Sequence, residues 1–232
     1  TDIVFPGGSQ HLVEAVYRGD EVMDSYSRIL ADLVVGWLRR TGATAARLVE
    51  IGAGTGAATR FVLAALDEAG IEADYLFTDL SPSFVERARS TFEGERTAPR
   101  FKTLDISRDP QPQGFAPGEA DIVIGSNVLH ATPAIETTID HAKSLLAPGG
   151  LLAINEVTAV QDFATLTFGL LDGWWAFDTG EARLDHAPLL SAPRWRDRLA
   201  AAGFRETRAY GLPGLDERAM PQAVIAAVAD GW

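Results

Sequence analysis

Arg47-Leu48-Val49-Glu50-Ile51-Gly52-Ala53-Gly54-Thr55-Gly56 is the stretch that decides how this chain folds. A short apolar run ends in three alternating glycines, and a helical segment, Ala57–Ala69, follows directly. Apolar run, glycine turn and helix together read as a strand feeding a helix through a tight turn. Glycine permits both the turn and the close approach of a ligand to backbone. In an open α/β sheet, ligands bind outside the carboxyl ends of the strands. The turn is therefore the first candidate site.

The same rhythm continues downstream. Strands are expected at Asp74–Thr78, Phe101–Leu104, Ala120–Ser126 and Leu151–Val157. Helices are expected at Pro82–Phe92, with Ser81 as cap, and at Ala134–Leu146, closed by Pro148-Gly149-Gly150. This alternation implies a mainly parallel sheet with helices on both faces. Toward the end, a helix over Arg194–Ala202 stops at Gly203, and Phe204–Tyr210 and Ala223–Val228 read as a terminal antiparallel hairpin. Upstream, Leu12, Val13, Val16 and Tyr17 share one helical face, and Val22 through Leu38 carry the apolar spacing of a longer helix. The expected organisation is one domain over 1–232. It has a helical segment at 1–44, a ligand-binding core at 45–158, an irregular insertion over the ligand face at 159–192, and the final helix and hairpin at 193–232.

Composition narrows the function. The 232 residues are 47% hydrophobic and 22% charged, as in a globular domain, and the net charge of -12 argues against gripping nucleic acid or an anionic membrane through bulk charge. There is no cysteine, so disulfides, thiolate metal sites and a cysteine nucleophile are excluded. No apolar run approaches the roughly 18 residues of a membrane span, and no leader pattern is visible. A cytoplasmic location is expected. The four histidines lack metal-ligand spacing, so no metal is expected. The chain opens on Thr1, as a processed protein or a piece of a longer one would.

Two cofactors compete for the glycine turn. Gly52, Gly54 and Ala57 fit a dinucleotide fingerprint, whereas Glu50, Gly52, Gly54 and Gly56 fit the turn that holds S-adenosylmethionine. A carboxylate at Glu50 would repel a pyrophosphate and attract the ammonium near a sulfonium. Asp79, at the end of the second strand, suits two ribose hydroxyls in either case, and Asp105, after the third, suits an adenine amino group. Leu80, Ile106 and Asn127 adjoin these positions and complete the expected cofactor set.

The chemistry is expected at His130 and Glu156. They follow the fourth and fifth strands, which are neighbours in a doubly wound sheet, so the two side chains open on one cleft. A carboxylate on one imidazole nitrogen orients the ring, and the other nitrogen is left to take a proton. Trp174 and Trp175, with Phe168 and Phe177, suit either an apolar substrate channel or a hydrophobic seal over the core, and Tyr17 is a further expected substrate contact. His11 and His141 are expected at the surface.

These residues resemble the methyltransferase domains embedded in modular polyketide synthases. The likeness runs from Phe5-Pro6-Gly7-Gly8-Ser9 and the helix bearing Tyr17, through Leu48–Gly56, Thr78–Ser81 and Ser126–His130. It ends in Asn155–Thr158, Thr167–Trp175, Pro188–Ser191, Trp195 and Gly203-Phe204. The resemblance implies a Rossmann-like class I methyltransferase fold with a seven-stranded sheet, S-adenosylmethionine as cofactor, and a His130–Glu156 dyad. Its implied substrate is an acyl chain held by phosphopantetheine on an acyl carrier protein, beside neighbouring synthase domains. Members that methylate the α-carbon of a β-ketoacyl thioester carry a long lid before the core. About forty residues precede it here, so two readings stay open: methylation of the α-carbon by the same dyad with the lid outside this sequence, or methylation of a β-hydroxyl oxygen, which the short segment narrowly favours. A nicotinamide-dependent oxidoreductase and a non-catalytic binding module are the rival readings.

Overall fold

The computed structural model describes residues 21–170, 172–177, 183–216 and 220–230. Tyr17 and the first expected helix lie outside them. The elements are α1 (Glu21–Thr41), β1 (Ala45–Ile51), α2 (Ala57–Ala69), β2 (Glu72–Asp79), α3 (Pro82–Thr91), β3 (Arg100–Thr103), β4 (Ala120–Ser126), α4 (Ile135–Leu145), β5 (Leu146–Val157), α5 (Asp162–Thr167), α6 (Ala192–Ala201), β6 (Phe204–Tyr210) and β7 (Gln222–Ala229). The seven strands form one sheet in the order β3-β2-β1-β4-β5-β7-β6. The first five are mutually parallel, and β7 runs antiparallel to both β5 and β6. This is the α/β, Rossmann-like class I methyltransferase fold that the family resemblance implied.

Both faces of the sheet are buried, which explains the nearly continuous apolar runs of β4 and β5. On one face Ile122 and Ile124 pack with Leu30, Val34 and Leu38 of α1 and Val62 and Leu66 of α2. On the other, Val123, Leu152 and Ile154 pack with Ile139 of α4 and Trp195 and Leu199 of α6. Helix α2 ends where Gly70, at φ 68°, turns its amide back onto Asp67 and Leu66. Ser81 precedes α3 as expected, but its hydroxyl meets Ser83 Oγ at 2.8 Å instead of capping a backbone amide.

One boundary differs in kind. Pro148-Gly149-Gly150 lies inside β5, which begins at Leu146. The pairing jumps from Ala120↔Leu146 to Ile122↔Leu151, so these residues form a loop-out within the strand. A Cβ at Gly150 would stand 2.9 Å from Ala147 O and 3.0 Å from Asp121 O, which only glycine avoids.

The strand order reverses between β1 and β4, since β2 and β3 extend to one side of β1 and β4 starts the other. The carboxyl ends of β1 and β4 therefore flank the crevice of an open α/β sheet, where ligands bind. No helix among the described residues is long and apolar enough to cross a membrane.

Trp195 is fully buried. Trp195→Ala should destabilise the domain by about 3–5 kcal/mol in urea unfolding, the range for an aromatic truncation in a core; a loss below about 1 kcal/mol would contradict this packing.

Candidate active site

The crevice is built from two turns. The first follows β1. Gly52, Gly54 and Gly56 all have positive φ, at 60°, 56° and 74°. A Cβ at Gly52 would lie 2.2 Å from Val128 Cγ2, and one at Gly56 would lie 2.8 Å from the Phe92 ring. Those two glycines are required by packing and by backbone conformation alike. A Cβ at Gly54 would meet nothing closer than 3.9 Å, so this middle glycine faces open space.

The end of β2 is sewn to this turn. Thr78 O accepts from the Ala53 amide at 2.9 Å, and the Thr78 hydroxyl donates to Glu50 O at 2.6 Å. Asp79 Oδ2 accepts from the Gly54 amide at 2.9 Å and Oδ1 from the Ser81 amide at 2.8 Å. A carboxylate offers about four lone-pair sites, so each oxygen keeps one for a ribose hydroxyl. Burial pushes the Asp79 carboxyl above the ordinary aspartate range, and the Ser81 and Gly54 amides pull it back. Leu80, next in sequence, is 67% exposed, an apolar surface at the crevice rim suited to a base.

Glu50 is placed differently from the sequence expectation. It shares its strand face with Leu48 and is buried beneath α2. Its Oε2 accepts from the Thr59 hydroxyl at 2.6 Å and the Tyr75 hydroxyl at 2.7 Å. Its carboxylate thus braces the turn from the core side. Desolvation raises its pKa from 4.5 to about 7, against the lowering effect of the Thr59 and Tyr75 hydrogen bonds. Asp105 adjoins Asp79, where Leu104 N donates to Asp79 O at 3.0 Å. Its Oδ1 accepts from the Ser107 amide and hydroxyl at 3.0 and 2.6 Å, so part of its carboxylate shapes its own loop. Ile106 is buried, and its carbonyl meets His141 Nδ1 at 2.8 Å. His141 is thereby part-buried and not the surface residue expected.

The second turn follows β4. Asn127 takes φ 53°, donates its amide to Asn155 O at 2.8 Å and accepts from the Val157 amide at 2.9 Å through Oδ1. These bonds make it the residue that sets the turn. The chain then forms a single 3₁₀ turn, Leu129–Ala131. Glu156 on β5 is 0% exposed. Its Oε1 accepts from the Val128 and Leu129 amides at 3.2 and 2.9 Å, and its Oε2 is paired with His130 Nδ1. With Nδ1 turned to the Glu156 carboxyl, Nε2 is the ring nitrogen left for another partner. Trp174 stands edge-on to the His130 ring at 6.3 Å between centroids and stacks on Phe168 at 6.2 Å. Both are placed by α5 and the 3₁₀ turns that follow it. Trp175 is 49% exposed and donates its indole N–H to Gly169 O at 2.9 Å, so it sits on the outer surface.

The site therefore brings together Gly52, Gly54, Gly56, Asp79, His130 and Glu156, with Trp174 beside the imidazole and Phe168 stacked on Trp174. The cradle open at Gly54 and the spare acceptor sites of Asp79 fit the nucleoside of S-adenosylmethionine. Sequence reasoning missed Thr59 and Tyr75 as partners of Glu50. The period-two alternation Leu48, Glu50 on a buried strand was the signal that could have found them.

A family model described as a methyltransferase domain matches residues 49–152. Polyketide synthase ThaG of Burkholderia thailandensis is 39% identical over 232 residues, covering 98% of this chain and 4% of that protein. The crystal structures of the DszA and CurJ carbon methyltransferases superpose with TM-scores of 0.90 and 0.89, at 34% and 35% identity. These matches cover 100% and 99% of this chain, and 60% and 61% of theirs. Fold and site define a class I methyltransferase that uses S-adenosylmethionine. Within that class the chain belongs to the methyltransferase domains of polyketide synthases.

The raised Glu50 pKa has a testable sign. Protonated Glu50 favours the folded state, so its contribution is full below the unfolded value of 4.5 and is lost as pH rises through about 7. Glu50→Gln should remove a decline of about 3 kcal/mol across that window in urea unfolding, at about 1.4 kcal/mol per pH unit. An unchanged slope would place the Glu50 carboxyl in solvent.

Proposed function

We propose that this domain methylates the α-carbon of a β-ketoacyl chain held as a phosphopantetheine thioester on an acyl carrier protein. The observation that carries this reading is the His130–Glu156 pair at the crevice, with its carboxylate held by two backbone amides. S-adenosylmethionine, when bound, supplies a methyl carbon on a sulfonium, whose C–S electron pair leaves with the sulfur. Gly52, Gly54, Gly56 and Asp79 hold that cofactor.

His130 Nε2 takes the α-proton, and the C–H electron pair spreads over the β-ketone and thioester carbonyls as an enolate. The enolate carbon then forms the new bond to the methyl. A proton flanked by two carbonyls is acidic enough for an imidazole base, which makes carbon the better chemical match than a β-hydroxyl. Glu156 fixes the ring and stabilises the imidazolium, and the proton passes from Nε2 to water after transfer. Trp174, backed by Phe168, walls the imidazole with apolar surface and shields the enolate from reprotonation.

The carbon methyltransferases DszA and CurJ support the same choice. The oxygen reading rested on the length of chain before the core. This chain covers 60% and 61% of those structures, so that length carries no weight. The polyketide synthases it resembles support a setting among neighbouring synthase domains, and the proposed thioester substrate adds an acyl carrier protein as partner.

Carrier proteins loaded with a β-ketoacyl or a β-hydroxyacyl chain should part the two chemistries. Intact-mass analysis should show one methyl gained on the keto chain alone, with fragmentation locating it on the α-carbon. A gain on the hydroxy chain alone would replace this reading with O-methylation. His130→Ala should lower turnover at least about 100-fold, the scale of a lost general base, and leave cofactor binding intact.

A further inference from the structure

We propose that Arg183 is a positioning residue for the base: it supplies the hydrogen-bond donors that proline withholds from the His130 turn. The inference rests on His130 acting as the base of methyl transfer.

The need for Arg183 is written in the turn itself. In a 3₁₀ turn each carbonyl accepts from the amide three residues on. Val128 O accepts from Ala131 N at 3.1 Å and Leu129 O from Thr132 N at 3.3 Å. The next bond in the series would run from residue 133 to His130 O. Residue 133 is proline, which has no N–H. The His130 carbonyl is left without its ladder partner inside a buried turn, where an unmade hydrogen bond is expensive.

Arg183 fills that place from 53 positions away. Its Nη1 donates to His130 O at 2.8 Å and to Pro188 O at 2.6 Å. Its Nη2 donates to Thr132 O at 2.7 Å and Pro133 O at 3.2 Å. The guanidinium is buried, lies 5.0 Å from the centroid of the Phe177 ring, and its own carbonyl accepts from Arg194 Nη1 at 2.5 Å. The planar fork grips three carbonyls of the 130–133 segment at once, which a lysine ammonium cannot reproduce. Glu156 therefore fixes the His130 side chain from one side, and Arg183 fixes its backbone from the other. With the ring held at both ends, the direction of Nε2 toward the acyl chain is set.

The test measures kcat, KM and cofactor affinity on whichever loaded carrier the unaltered chain methylates. A failure of the functional reading would thus show in the unaltered chain before any variant. Arg183→Met should lower kcat about 100-fold, the scale of a small misplacement of a reacting group, with cofactor affinity unchanged. Arg183→Lys should fall between the two and serves in place of Arg183→Met should that variant not fold. The decisive arm adds Pro133→Ala, which returns an N–H to the turn. It should recover about tenfold of the lost kcat, because the two substitutions act on one carbonyl and are not additive. A kcat close to that of the unaltered chain in Arg183→Met would overturn the proposal. So would a parallel loss of cofactor affinity, or no recovery with Pro133→Ala.

Discussion

Everything at this site depends on one buried carboxylate. Glu156 is shut off from solvent, and an ion there is tolerated only if its oxygens are met by donors. Three groups meet these oxygens: the Val128 and Leu129 amides, which donate to Oε1, and His130 Nδ1, which pairs with Oε2. The left-handed turn at Asn127 carries the two amides onto β5, and the parallel pairing Ser126↔Asn155 brings the strands to that level. The imidazole is thereby fixed by the same interaction that makes its charge on Glu156 acceptable. Turn, strand pairing and imidazole form one unit, and changing any part disturbs the others.

The two turns of the crevice also lock into each other. Gly52 leaves just enough space for Val128, which immediately precedes the His130 turn. The glycine turn and the His130 turn are thus packed together through the Val128 side chain over Gly52. A methyl group and the atom that receives it must approach in line, and a shared rigid frame lowers the entropic cost of that alignment. Asp79 and Thr78 extend the frame to β2, and the Thr59–Glu50–Tyr75 bonds brace it from below.

Much of this was legible in the sequence. The glycine turn and the alternation of runs gave the parallel sheet, because buried parallel strands must be apolar on both faces. His130 and Glu156 could be paired across 26 positions because both close strands that adjoin in such a sheet. What escaped the reading has physical causes. Pro148-Gly149-Gly150 reads in sequence as the end of a helix, yet a strand can loop out three residues and resume where glycine lets backbones touch. Glu50 was read by its charge, while its strand alternation buried it. Trp175 was read with Trp174, though adjacent residues of a 3₁₀ turn point apart and only Trp174 faces the imidazole. The link between Arg183 and His130 leaves no periodic trace. Its one local sign is the proline that denies the turn a donor.

The central claim is that the His130–Glu156 pair removes a proton from carbon. The most direct measurement omits the cofactor and follows deuterium entering the α-carbon of a β-ketoacyl carrier protein in heavy water. The account predicts that the unaltered chain speeds exchange over the carrier alone and that His130→Ala does not. Exchange that stays at the background rate with a chain still competent for methyl transfer would contradict it, as would full acceleration by His130→Ala.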